Sequence, residues 1–124
     1  MDWIKKIDTG SVRPADILTH CNCLAKDDKD VLNALLCRIL EECSDIVPKA
    51  TKGGKPFAIH LNLREDGKPK VMAAIYVQKR NGIKIQSRKI LEGFVKGKDS
   101  ELPYEKKGIG HSDIGIIVDY LRKQ

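Results

Sequence analysis

Residues 57–88, FAIHLNLREDGKPKVMAAIYVQKRNGIKIQSR, alternate apolar and polar side chains with a period of two. Successive side chains of a strand leave opposite faces, so Phe57, Ile59, Leu61 and Leu63 share one face and Ala58, His60, Asn62 and Arg64 the other. Glu65-Asp66-Gly67-Lys68 reads as a turn with Gly67 available for positive φ. A second run over 70–79 sets Val71, Ala73, Ile75 and Val77 on the core side and Met72, Ala74, Tyr76 and Gln78 opposite. Asn81-Gly82 is a strong hairpin signal. It leads into a third run, Ile83, Ile85 and Ser87 alternating with Lys84, Gln86 and Arg88. The expectation is a three-stranded antiparallel meander.

Upstream the period becomes helical. Pro14 suits the first turn of a helix over 13–24, where its missing N–H does no harm, and Ile17, Leu18, Cys21 and Leu24 form its apolar stripe. Asp27 or Asp28 is placed to cap a longer helix carrying Val31, Leu32, Leu35, Leu36, Ile39, Leu40, Cys43, Ile46 and Val47 and stopping before Pro48. Downstream, ILEGFV (90–95) reads as a prolongation of the third strand past a bulge at Gly93, and KGKDSELP (96–103) as a polar turn. For the last segment, Ile114, Ile117, Val118 and Leu121 describe a helix capped by Ser112 or Asp113, while Ile114, Ile116 and Val118 also fit a strand. Arg122 and Lys123 near its end favour the helix through the macrodipole. The fold class is therefore α+β: one domain over 1–124, with a helical part (1–47), a basic connector (48–56), and an antiparallel meander with a C-terminal helix (57–124).

Charge is localised. Eleven of the 23 Lys and Arg residues lie between Lys49 and Lys89, against two acids, Glu65 and Asp66, so this stretch carries +9. Residues 1–47 carry −3 and residues 90–124 are balanced. A basic sheet implies an anionic partner. No run of about 18 apolar residues is present, so no membrane partner is expected. Cys21, Cys23, Cys37 and Cys43 all fall in the helical part rather than through loops, which points to reduced thiols and a cytoplasmic setting, or a nuclear one in a eukaryote.

The polar face of the meander collects His60, Asn62, Arg64, Tyr76, Gln78, Lys84, Gln86 and Arg88. Cations meet phosphates, and Tyr76 offers a ring on which a base can stack. The plain alternative is a solvated polar face of a one-sided sheet. Within His20-Cys21-Asn22-Cys23 the Cys-x-Cys spacing turns the two sulfurs to different sides of a helix, so no metal and no cofactor are expected. An acid–base set of His60, His111 and Asp113 with Cys21 or Ser112 as nucleophile has no spacing that gathers it, and no catalytic residue is assigned.

The segment RNGIKIQSRKILEGFVKGKDSELPYEKKGIGHSDIGIIVDYLRK (80–123) resembles the core of the positive-cofactor-four-like transcriptional coactivators. The parallel runs through Ile83 to Val95, Lys98-Asp99-Ser100-Glu101, Leu102-Pro103, Lys106-Lys107-Gly108-Ile109, and Asp113 onward. Gly110-His111 and the lack of a tryptophan after Asp113 depart from it. The resemblance implies single-stranded DNA binding and a homodimer, with DNA contacts on Lys84, Arg88, Lys89, Lys106 and Lys107 and a strand aromatic at Phe94. An alternative reading of the same region is a binder of a small phosphorylated ligand or protein partner. Gly108, Gly110 and Ser112 would then hold an anion ahead of the last helix.

Overall fold

The computed structural model describes residues 1–53, 56–78 and 82–124. A 3₁₀ turn at Asp2–Lys5 precedes helices α1 (Pro14–Asn22) and α2 (Lys26–Glu42). Strands β1 (Ile46–Thr51), β2 (Phe57–Leu63), β3 (Lys70–Gln78), β4 (Gly82–Ser87), β5 (Val95–Lys96) and β6 (Tyr104–Lys106) follow, then helix α3 (His111–Arg122). The class is α+β. The strands form one antiparallel sheet in the order β1-β2-β3-β4-β6-β5, twice the three strands that alternation predicts. Gln78 pairs with Gly82 across the expected hairpin. Its Asn81, the last residue of the expected second strand, Lys79, and residues 54–55 of the connector lie outside the described residues.

The helical stripe is the core. Leu32, Leu35, Leu36 and Ile39 of α2 are fully buried, and α2 packs against α3 and β4. From the sheet come Phe57, Ile59, Leu61, Ile75, Val77, Ile83 and Ile85, and from α3 Ile114, Ile117, Val118 and Leu121. The C-terminal segment is thus the helix, not the strand. Trp3, unread in the sequence, closes the core and donates from Nε1 to Asn33 Oδ1 at 2.7 Å.

Four expectations are corrected. The long helix stops at Glu42, and Ile46 and Val47 begin β1 instead. The N–H of Ala50 in this edge strand points away from β2 and donates to the Asp8 carbonyl at 2.8 Å. Pro48, two residues earlier, has the same orientation, so its missing N–H removes no bond from the ladder. Second, α2 begins after Ala25, with Asp27 and Asp28 inside the first turn, where negative charge meets the positive helix end. Third, the ILEGFV stretch does not prolong β4. Gly93 at φ 83° turns the chain, Phe94 N–H donates to the Leu91 carbonyl at 2.9 Å, and Phe94 drops into the core. Fourth, Leu18 is exposed, leaving Ile17, Cys21 and Leu24 as the buried stripe of the first helical region.

Candidate nucleic-acid interface

The sheet has helices on one face only, so its other face carries the polar residues of the alternation. Cross-strand register places them in rows: Thr51, Ala58, Tyr76 and Lys84 in one, and Lys49, His60, Ala74, Gln86 and Glu105 in the next. A bulge in the β2–β3 ladder breaks the pattern at Asn62. Leu61 pairs with Ala73 but Asn62 with Val71, which leaves Met72 as the extra residue. Met72, expected outward, is buried in the core, and Val71, expected inward, pairs with outward Asn62. The Met72 carbonyl accepts from Tyr120 Oη at 3.0 Å.

This face is partly roofed by the segment between β5 and β6. Gly97 N–H donates to the Pro103 carbonyl at 2.7 Å, closing the segment on itself, and Asp99 Oδ1 accepts from the N–H groups of Glu101 and Leu102, both at 2.8 Å. Leu102 is buried yet lies outside the main core cluster, and Ala58 and Ala74 have no exposed surface. Asp99 acts electrostatically on both His60 and Tyr76, which puts it over the face. Burial pushes the His60 imidazole below its ordinary value, against the opposite pull of Glu101 and Asp99. Burial also raises the Tyr76 phenol, and Asp99 adds to the rise.

Glu101 of this segment, Glu105 of β6 and Asp113 of α3 bring carboxylates to cations of β4, its following residue Arg88, and β6. Lys84 Nζ lies 3.9 Å from Glu105 Oε2 and 4.8 Å from the centroid of the Tyr76 ring. Arg88 donates from Nε to the Val71 carbonyl and from Nη2 to Glu101 Oε1 at 3.0 Å. Lys106 Nζ lies 2.6 Å from Asp113 Oδ1. Three of the cations expected to meet phosphate are therefore already engaged. Lys89 and Lys107 are exposed. Phe94 is buried with the helices, so it offers no ring on the polar face.

Cations without an ion pair lie at the β1–β2 side of the sheet, and, among the described residues, Lys89, Lys96, Lys98 and Lys107 near β4, β5 and β6 have none either. Arg64 is exposed just beyond β2, and Lys49, which sequence reading passed over as part of a connector, stands beside His60 on β1. Among the described residues, Lys49, Lys52, Arg64, Lys68 and Lys70 take part in no ion pair. Lys49 and Arg64 line one groove of about 220 Å³ together with Asn62. What could have revealed Lys49 is the alternation of Ile46, Pro48 and Ala50 with Val47, Lys49 and Thr51, masked by the apolar helical spacing that runs into it.

The Gly-containing loop closes on its own acid. Gly110 N–H donates to Asp113 Oδ2 at 2.9 Å, and Asp113 N–H returns to the Gly110 carbonyl at 3.0 Å. Burial opposes ionisation of Asp113, but Gly110 N–H and the Lys106 ammonium outweigh it and hold the carboxyl below its ordinary range. A negative charge thus already occupies the start of α3, with Gly108 and Ser112 exposed beside it. The acid–base set is not assembled. His60 is on the polar face, whereas Cys21 is in the core, its thiol pushed up to about 11 by burial. All four cysteines are unpaired, Cys23 and Cys37 exposed and Cys21 and Cys43 buried. Among the described residues no group of three or more His, Cys, Asp or Glu side chains is placed to share a metal ion, and no helix is long and apolar enough to cross a membrane.

Fold and site together define a small α+β protein whose six-stranded sheet presents a polar face, some of whose cations are paired with carboxylates and some not. Compared with known proteins, the chain matches no family model, no curated protein and no solved structure.

Proposed function

We propose that this chain is a non-catalytic nucleic-acid-binding protein that takes single strands on the β1–β2 side of its polar sheet face. The observation that carries this reading is the pair Lys49 and Arg64, which line one groove on that side of the sheet and, among the described residues, take part in no ion pair. Phosphates compete poorly for an ammonium or guanidinium already bound to a carboxylate, so the contact surface lies away from Lys84 and Arg88. The free part of the face is the surface of β1 and β2, whereas a duplex major groove takes a projecting helix or ribbon, so single strands are favoured. The small-anion reading of the loop at Gly108, Gly110 and Ser112 is less favoured, because Asp113 takes the N–H that an anion would need. The homodimer implied by the resemblance and the intracellular setting suggested by the unpaired thiols belong to the same proposal. Fluorescence anisotropy with single-stranded DNA, single-stranded RNA and duplex DNA across a salt series tests it. The expected result is single-strand binding that weakens linearly in log salt. Absence of binding to every oligonucleotide at low salt ends the reading.

A further inference from the structure

We infer that residues 97–103 form an autoinhibitory strap, an acidic loop that lies over the middle of the polar sheet face and is displaced as one unit by a single strand binding there. This deepens the nucleic-acid reading and rests on it. Gly97 N–H donates to the Pro103 carbonyl at 2.7 Å, and Asp99 Oδ1 accepts from the N–H groups of Glu101 and Leu102. These bonds are internal to the loop, so lifting it from the sheet breaks none of them. Its hold on the sheet, among the described residues, is one buried side chain and one ion pair. Leu102 is 5% exposed, while Lys98, Asp99, Ser100 and Glu101 are all exposed. Ala58, Ala74 and Leu102 are the described apolar residues that are buried outside the main core, which seats Leu102 on the polar face over the two alanines. The ion pair joins Arg88 to Glu101 at 3.0 Å, and a pair whose carboxylate is mostly in solvent holds weakly.

The strap stands where a polyanion would. Asp99 and Glu101 both act electrostatically on His60, and Asp99 also on Tyr76, so the negative charge of the loop reaches from Arg88 across β3 to β2. A phosphate chain that crosses the sheet from Lys49 and Arg64 meets these carboxylates first. It gains Arg88 only by replacing Glu101. Closure also carries a cost. Gln86 pairs in register with Ala74 and Glu105, and its Oε1 is buried without a hydrogen-bond partner. Opening gives that oxygen to water. Internal closure, weak anchoring and an orphaned acceptor beside the anchor describe a cover that exchanges for a ligand of like charge.

The test removes the strap. Gly97 and Pro103 already face each other through one bond, so Asn-Gly in place of residues 98–102 closes β5 on β6 as a two-residue hairpin. With circular dichroism confirming the fold, this variant should bind oligo(dT) about fivefold more tightly than wild type at 0.1 M salt and steepen the salt slope by about 0.7, the share of one added phosphate contact. Arg88→Ala should then cost about fivefold in the strapless protein and under about twofold in wild type. Leu102→Ser unseats the strap with its charges in place; it should move affinity the same way, and it decides the matter should the hairpin variant not fold. Asp27→Asn with Asp30→Asn removes two exposed acids from the helical layer and measures the effect of net charge alone. The proposal is overturned if the folded strap variants bind no tighter than wild type, if the Asp27 and Asp30 control tightens binding as much, or if Arg88→Ala costs the same with and without the strap. No binding by any of these proteins refutes the parent reading as well, whereas equal binding by all of them refutes the strap alone.

Discussion

On β4 and β6 each strand cation has a carboxylate at hand: Lys84 has Glu105, Arg88 has Glu101 and Lys106 has Asp113. On β1 and beside β2, Lys49 and Arg64 face solvent without one. Both halves read alike in the sequence, as basic residues on the polar side of an alternating run. They differ because Glu101, Glu105 and Asp113 lie beside the cations of the β4–β6 half, and Lys49 and Arg64 have no such partner among the described residues. Net charge is thus a poor guide to where a polyanion binds. What counts is which cations lack an internal counter-charge, since these are free to neutralise phosphates and displace the counterions condensed on the nucleic acid.

The most disruptive change abolishes the contrast by unfolding both halves together. Leu36→Ala removes a fully buried side chain beneath the sheet and should cost about 2–5 kcal/mol, read as a lowered denaturation midpoint at unchanged m. An unchanged midpoint shows that α2 is not the support of the sheet.

Lys49→Ala with Arg64→Ala attacks the free half. Loss of two phosphate contacts should flatten the slope of log K against log salt by about 1.4 for a single strand, which at 0.1 M salt is roughly 25-fold in affinity. Lys84→Ala with Arg88→Ala should shift the slope by less than half as much. Equal effects from the two pairs erase the distinction between the halves.

The converse variant sharpens it. Glu101→Gln with Glu105→Gln leaves Lys84 and Arg88 without their carboxylates and should tighten single-strand binding and steepen the salt slope, by about 1.4 if both cations then reach phosphate. A slope that stays where it was shows that the paired half is sterically closed, not merely neutralised.

The smallest effect concerns the roof. Burial lowers the folded-state pKa of His60, so the unfolded chain binds the extra proton first as pH falls through its ordinary value of 6.5. Stability is therefore complete above that pH and declines below it, until the folded state also takes the proton. His60→Gln should flatten the melting temperature across this window relative to wild type. A wild-type melting temperature that rises on acidification through the window contradicts the buried, neutral imidazole.

The sequence by itself determined what each segment does with its own neighbours. The period of two in β2, β3 and β4, the stripe Leu32, Leu35, Leu36 and Ile39, and the helical face of α3 are all local repeats that survive because each element buries one face. The polar character of the outer sheet face was legible for the same reason. Residues 46–51 were misread because Ile46 and Val47 continue the helical spacing of α2 by chance, and only pairing with β2 makes them a strand. The tertiary structure alone decided which cations are free. Arg88 meets Glu101 thirteen residues away and Lys84 meets Glu105 on the neighbouring strand β6, contacts that depend on how the chain after β4 returns to the sheet and leave no periodic trace. The groove at Asn62 arises in the same way. A single extra residue in the β3 ladder turns Val71 and Met72 over, and because a strand alternates strictly, one bulge changes which side chains line the face without changing any residue type.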